Sequence, residues 1–398
     1  MEIRRVTAEE RLTTSYPLQA YAFDRSPLPA AQIEGWRDRL PYWAETRTLV
    51  AEADGSTVAC VSAIPMRQNL RGTVLPMAGV ASVATHPLAR RQGHIRALLH
   101  QLLDEMRDEG HPLSALYPFR PSFYARFGFV GLPKARTVSF SPADLGPLLR
   151  ADLPGELAWE RIGAGYPAYR AFTEECLRRR HGFAVFDAQR AVAVRDDDNR
   201  WLVTARLDGR TVGAVTYRID GHGGHLVADE LLAEDPYGRA LLLGFFARHI
   251  DQVTRITVQI PPDELPELWL TDFDVQVEAR VNSPEAAAPM ARLLSLDALT
   301  GRPAGTGRVR VELTGDRWLA GTHLLDGGSG QLEVTSAVAA GSSTPTATLT
   351  AAGLSALAYG VLDPVEVHLR ELGSVPADAA AELRRIFPRQ VPYLFADF

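Results

Sequence analysis

Long apolar runs, cysteine and positive charge are all scarce in this chain. No stretch approaches the roughly 18 apolar residues needed to span a bilayer, and the opening Met1-Glu-Ile-Arg-Arg-Val-Thr7 lacks the apolar core of a secretory leader. Membrane insertion is therefore not expected. Two cysteines, Cys60 and Cys176, cannot build a disulfide framework. They predict a reducing, cytoplasmic setting in which each thiol serves as a small buried hydrophobe. Forty-two basic against 48 acidic residues leave a net charge of −6, which gives nucleic acid no electrostatic footprint. His222-Gly-Gly-His225 offers two metal ligands with no third donor at a recognisable spacing and reads as a glycine-rich loop, so no metal is expected. Neither a Gly-x-Ser-x-Gly elbow nor a phosphate-binding P-loop occurs, which argues against hydrolase and NTPase chemistry.

What is present is a soluble globular composition, 46% apolar and 23% charged, over 398 residues, enough for two or three domains. The first part reads as a helix over Leu12 to Phe23, a helical stretch around Ile33 to Leu40, and strands at Thr48 to Ala53 and Thr57 to Ile64 around an Asp54-Gly55 turn. Asn69 to Leu75 and Met77 to Thr85 read as two more strands, and Leu113 to Tyr117 as another beyond a helix. Helices, an antiparallel meander, a helix and a further strand indicate an α+β fold with mixed sheets, not a doubly wound dinucleotide fold.

The stretch from Val80 to Phe129 carries the clearest chemical signal. From Ile95 the apolar positions Ile95, Leu98, Leu99, Leu102, Leu103 and Met106 follow helical spacing, with Gly110 as a stop. Gly93 stands at the mouth of that helix, directly after Arg90, Arg91 and Gln92. The first N–H groups of a helix have no intrahelical partner and carry partial positive charge, so two arginines added there make a site for a polyanion such as a pyrophosphate. Without a Cβ, Gly93 lets a ligand approach the backbone.

Proline and glycine between Ser141 and Gly155 mark a boundary. Beyond it the pattern repeats: a hairpin around Asp208-Gly209, a strand from Leu226, a helix over Tyr237 to Ile250 and a strand over Arg255 to Ile260. In this second copy Glu234 and Asp235 occupy the turn that carries Arg90 and Arg91 in the first. An acidic pair repels pyrophosphate, so the second copy is expected to be structural. After Asn282-Ser-Pro-Glu285 the texture changes again. Pro289 to Leu299 reads as a helix, strands follow at Arg308 to Thr314, Trp318 to Leu324, Gln331 to Ala337 and Thr346 to Thr350, and a helix runs over Pro376 to Phe387. The tail Val391-Pro-Tyr-Leu-Phe-Ala-Asp-Phe398 is hydrophobic for a chain end and predicts a docked terminus.

Val83-x-Thr85-His-Pro-x-x-Arg90-Arg91-Gln92-Gly93 before a helix resembles the coenzyme A-binding motif of the GNAT acetyltransferases, commonly Arg/Gln-x-x-Gly-x-Gly/Ala. Ile95 replaces the last small residue. With Phe123-Tyr124-Ala-Arg126-Phe-Gly128-Phe129 and a terminal Asp397-Phe398, the chain is similar to the Eis family of N-acetyltransferases.

That resemblance implies two tandem GNAT folds, residues 1–145 binding acetyl-CoA and residues 146–285 without a cofactor site. Residues 286–398 would then form a sterol-carrier-protein-like domain whose end reaches the active site. It implies that Val83 and Thr85 pair with the pantetheine arm, and that Arg90, Arg91, Gln92, Gly93 and His94 hold the pyrophosphate. Tyr124 would be the general acid that protonates the departing thiolate, and the Phe398 carboxylate the base. Asp24 and Trp36 would contact a cationic acceptor: an aminoglycoside, a polyamine or a lysine. A phenol with an ordinary pKa near 10 suits a donor to a developing thiolate. A homohexamer is the implied assembly. The alternative is a non-catalytic lipid- or small-molecule-binding protein that uses its C-terminal domain.

Overall fold

The first sheet begins with antiparallel β1 (Glu2–Val6), β2 (Arg47–Ala53) and β3 (Ser56–Leu70). Asp54 and Gly55 turn β2 into β3 with φ of 50° and 75°, as the sequence predicts. The next reversal lies at Arg71 and Gly72, with φ of 50° and 87°, where a strand over Asn69 to Leu75 was expected. β3 therefore runs to Leu70 and pairs from Ala59 to Leu70 with β4 (Thr73–Thr85). The computed structural model describes all residues except 25, 30, 31, 33, 34 and 337–343, and only the backbone at 188 and 189. The helix expected from Ile33 and the strand expected to end at Ala337 lie partly outside the described residues. Their described parts are a 3₁₀ segment, Arg37–Trp43, and the strand Glu333–Ser336.

Completing this sheet are β5 (Leu113–Leu116), parallel to β4, then β6 (Val130–Gly131), β7 (Ala184–Phe186) on β3, and β8 (Met290–Leu293). The order is β1-β2-β3-β4-β5-β8-β6. β8 overturns the helix expected over Pro289 to Leu299; only Leu296–Ala298 turns, as 3₁₀. All four β8 residues are buried, and a strand covered on both faces loses the alternation that would reveal it.

Two helices cover opposite faces of this sheet. Leu18 of α1 (Ser15–Phe23) packs with Val50, Cys60 and Ala84. Leu98, Leu99, Leu102 and Leu103 of α2 (His94–Asp108) pack with Leu49, Ala51, Ala59 and Val61, the alternate residues of the same strands.

β8 belongs to a segment that continues into a five-stranded sheet: Arg308–Thr314, Gly321–Asp326, Glu333–Ser336, Thr346–Thr350 and Gly373–Ser374. Helices Ala351–Ala358, Pro364–Leu369 and Ala377–Ile386 follow or interrupt it. Arg71 joins this part to the β3–β4 turn. Its guanidinium donates to the carbonyls of Ala358 (2.6 Å), Leu357 (2.9 Å) and Pro388 (3.0 Å), capping the end of the Ala351–Ala358 helix. Met1–Leu132, His181–Ala191 and Ser283–Phe398 form one compact unit; Pro133–Arg180 and Val192–Asn282 form the other.

The second unit repeats the first sheet's plan. Trp201–Leu207 and Arg210–Ile219 form a hairpin on Asp208 and Gly209, His225–Glu230 pairs with it, the helix Pro236–Ala247 follows, and Arg255–Ile260 returns parallel to His225–Glu230. Among the described residues no helix is long and apolar enough to cross a membrane.

Candidate active site

β4 and β5 are hydrogen-bonded only from Met77↔Leu113 to Val80↔Leu116, yet β4 continues to Thr85. At the point of separation β4 bulges against β3, and Ser82 takes φ of 56°. Beyond the bulge the N–H of His86 donates to Val58 O on β3 at 2.8 Å. With a period of two, Val83 and Thr85 direct their backbone groups to the side that β5 has left. The parted strands thus offer unpaired peptide groups in a wedge, suited to an extended amide-bearing ligand that adds as a strand.

The turn after β4 opens onto α2. Arg91 (φ 64°) and Gly93 (φ 87°) are both left-handed, and Gly93 is the N-cap with no side-chain acceptor on the first-turn N–H groups. Ordinary helices fill that position with Ser, Thr or Asp; leaving it vacant keeps the dipole end open to an external anion. Arg90 and Arg91 are exposed and form no ion pair among the described residues. Gln92 is exposed, and its Oε1 lies 3.2 Å from His94 Nε2. The His94 ring is buried, so His94 offers the open turn its backbone N–H and not its imidazole.

Tyr124 stands on α3 (Pro121–Ala125), whose single turn starts with Pro at N1. Its ring is packed by Phe119 (5.4 Å), Phe123 (5.1 Å) and Phe129 (6.3 Å) and is 2% exposed. Among the described residues the hydroxyl has no hydrogen-bond partner. Burial pushes its pKa above the ordinary tyrosine value, keeping the phenol protonated. The turn behind it is held from β8. Arg292, wholly buried, donates to Phe127 O, to Leu293 O at 2.9 Å and to Asp316 Oδ2 at 2.9 Å, and lies over the Trp318 ring at 4.6 Å. Trp318 Nε1 in turn donates to Asp104 of α2 at 2.5 Å. Arg292 had no sequence signal, because it sits in a strand that reads as a helix.

The chain end is docked, as its composition predicts. Tyr393, Leu394 and Ala396 are buried, Tyr393 N donates to His181 O at 3.0 Å, and Phe395 stacks on Phe183 at 4.5 Å. Phe398 meets Tyr117, the residue after β5, edge to face at 5.6 Å. Its ring also lies over Gly79, where an added Cβ would stand 3.1 Å from the ring and 2.7 Å from Met66 Sδ. Gly79 precedes Val80, the last paired residue of β4, so the terminal residue sits at the vertex of the wedge. Asp24 is exposed at the C-cap of α1. Trp36 stands edge-on to Tyr16 at 4.0 Å, in an apolar cavity of about 290 Å³ shared with Leu12, Pro17, Tyr21 and Leu28.

In the second unit the equivalent helix is filled by the chain itself. Asp235 Oδ1 accepts the Gly238 N–H at 2.8 Å, while Glu234 pairs with Arg210 at 2.6 Å and with Arg179. No group of three or more His, Cys, Asp or Glu among the described residues is arranged to hold a metal.

These features agree with what the chain is similar to. Residues 2–131 and 176–293 each match a family described as an acetyltransferase (GNAT) domain. An uncharacterized N-acetyltransferase of Streptomyces coelicolor is 26% identical over 300 residues, 68% of this chain and 69% of that protein. The N-acetyltransferase Eis of Mycobacterium tuberculosis is 32% identical over 96 residues, 24% of each chain. The crystal structure of Eis1 from Mycobacterium abscessus superposes over the whole of both chains with a TM-score of 0.77 at 20% identity, a likeness of fold. The chain belongs to the GNAT acetyltransferases and is an Eis-like tandem member, an acyl-CoA-dependent N-acetyltransferase.

Proposed function

We propose that the protein moves an acetyl group from acetyl-CoA to the primary amine of a small molecule or lysine. The observation that carries this reading is the wedge of β4 and β5 beside a helix without a side-chain cap and two arginines that form no ion pair among the described residues. Val83 and Thr85 pair with the pantetheine amides, while Arg90, Arg91 and the N–H groups of Gly93 and His94 take the pyrophosphate, with Gln92 steadying the turn. The neutral amine attacks the thioester carbonyl, the C–S bond breaks, Tyr124 gives its proton to sulfur, and the Phe398 carboxylate takes the proton released by the amine. Aminoglycosides, polyamines and lysine all offer such an amine, and Asp24 with Trp36 borders its entry. By resemblance, residues 286–398 are a sterol-carrier-like domain and the assembly is a hexamer, which sedimentation or sizing measures directly.

The test is thiol release from acetyl-CoA with a panel of amines, alongside calorimetric titration with coenzyme A. Acceptor-dependent release is expected. Tyr124→Phe should lower kcat by about 10²-fold or more with coenzyme A affinity held within about twofold. Loss of coenzyme A binding in that variant would make Tyr124 a packing residue.

A further inference from the structure

The least explained group in the first unit is Arg11. It is 1% exposed, and Nε, Nη1 and Nη2 all lack a hydrogen-bond partner among the described residues. Its guanidinium faces two rings, Trp43 at 5.0 Å and Tyr16 at 5.4 Å. A second arginine shares that tryptophan: Arg190, half-buried, lies over Trp43 at 3.9 Å and near Phe186 at 5.5 Å. Neither has a carboxylate in range among the described residues. Among the described residues the only anionic forms near Arg11 are those of Tyr16 and Cys60, and burial raises both pKa values, the thiol to about 12. Arg39 adds a third positive charge near Arg190 and Tyr16, and among the described residues Asp24 is the one acid near Tyr16. Ser15 Oγ, close by on α1, is also buried without a partner. Buried cations are ordinarily paired, because an uncompensated one costs several kcal/mol. Two around one indole mark a place built for an anion.

Which anion follows from the side of the sheet. The pyrophosphate turn begins α2, which covers the face of Leu49, Ala51, Ala59 and Val61. Arg11 precedes α1, on the opposite face with Val50, Cys60 and Ala84. Phe398 shares that second face, against Met66 and Gly79, and its ring stands 6.4 Å from Phe186, the ring beside Arg190. The arginine pair is therefore on the terminal-residue side of the wedge, where the amine enters, and not on the phosphate side.

We infer that the Arg11–Trp43–Arg190 cluster receives a carboxylate carried by the acceptor, so that the enzyme selects amines bearing an acidic group, as a free amino acid does, over polycations. This rests on the acetyl-transfer reading and narrows its acceptors to those that carry a carboxylate, such as free lysine, setting aside polyamines and aminoglycosides. Arg190 makes the direct contact from its half-exposed position; Arg11 adds its charge from beneath in a water-poor, aromatic surrounding where Coulomb attraction is weakly screened. The same field repels a polyamine and favours the neutral form of the reacting amine.

Three matched amines test this: 5-aminopentanoate, pentylamine and 1,5-diaminopentane, compared by kcat/KM in the thiol-release assay. The aminocarboxylate should exceed the diamine by about tenfold or more, the worth of one charge-assisted hydrogen bond. In Arg190→Met and in Arg11→Met its advantage over pentylamine should collapse to within about twofold. A preference for the diamine, or an advantage unmoved in both variants, overturns the inference. Calorimetry of pentanoate with the coenzyme A-loaded protein decides independently of turnover. Pentanoate binding that Arg190→Met abolishes upholds the anion site even if no amine releases thiol, an outcome that would sink only the transfer reading. No pentanoate binding overturns the site. A higher Tm in Arg11→Met is also expected, since methionine fills the space without burying charge.

Discussion

His181 shows how a single residue ties pH to stability. Its Nδ1 accepts the Arg71 N–H at 3.1 Å, so the proton must reside on Nε2, which donates to Tyr359 O at 3.0 Å. A second proton would face an N–H group, and burial penalises the cation besides; the pKa is pushed down to about 4. The unfolded imidazole titrates near 6.5, so between those values the unfolded chain binds more protons than the folded one. This contribution is complete above about pH 6.5 and is lost as pH falls toward 4, a total of about 3 kcal/mol. His181→Gln, which has no such titration, should be less stable at pH 7 yet show a flatter melting temperature between about pH 6.5 and 4. Equal pH dependence in the two proteins would mean that another group controls acid unfolding. Gly79 makes a parallel case for the site. Gly79→Val places methyl groups where the Phe398 ring lies. It should lower kcat while leaving coenzyme A affinity near wild type, because the pyrophosphate turn is on the other face.

Elements differ in how openly the sequence announces them, and the differences are physical. α2 is legible because one of its faces is buried and the other wet, so its apolar residues keep a period of 3.6. The Asp54-Gly55 and Asp208-Gly209 turns are legible because their φ values need those residue types. β8 is not: Met290 to Leu293 are buried on both faces, and Arg292 inside them looks like a surface charge until Asp316, Phe127 O and Trp318 are seen around it. The Arg71 turn was hidden because an arginine with φ of 50° carries no turn signature. Within the candidate site, the motif marked Arg90, Arg91, Gly93 and Tyr124, but nothing local to Arg11 tells that no acid among the described residues meets it. The arrangement around Arg71 also has a measurable price. Ala358 O and Leu357 O lie at a buried helix end and Pro388 O beyond a second helix. Leu357 O keeps the Gly360 N–H at 3.0 Å, so Arg71→Ala takes the side-chain donor from Ala358 O and Pro388 O and should destabilise by about 2–4 kcal/mol. A loss below about 1 kcal/mol in denaturant titration would show that water replaces the guanidinium.

At the scale of the molecule, the last 116 residues are part of the first compact unit and not an appendage to it. Ser283–Phe398 clusters with Met1–Leu132, and β8 stands between β5 and β6, paired with Leu113–Leu116 on one side and Val130–Gly131 on the other. Removing it opens both ladders, strands the carbonyl of Phe127, and uncovers Met66, Leu70, Leu75 and Met77, which share a core with Leu354, Tyr359 and Leu394. The turn that carries Tyr124 then loses its anchor on Arg292, and the vertex of the wedge loses Phe398. A chain ended after Asn282 keeps both sequence regions that match the GNAT family except for the last residues of the second, so sequence alone would expect it to bind coenzyme A. The packing says otherwise: that fragment should show no cooperative thermal transition for its first unit and no calorimetric coenzyme A binding. If it binds with near wild-type affinity, β8 and the tail serve only the acceptor side, and the order in which the unit assembles must start from the wedge itself.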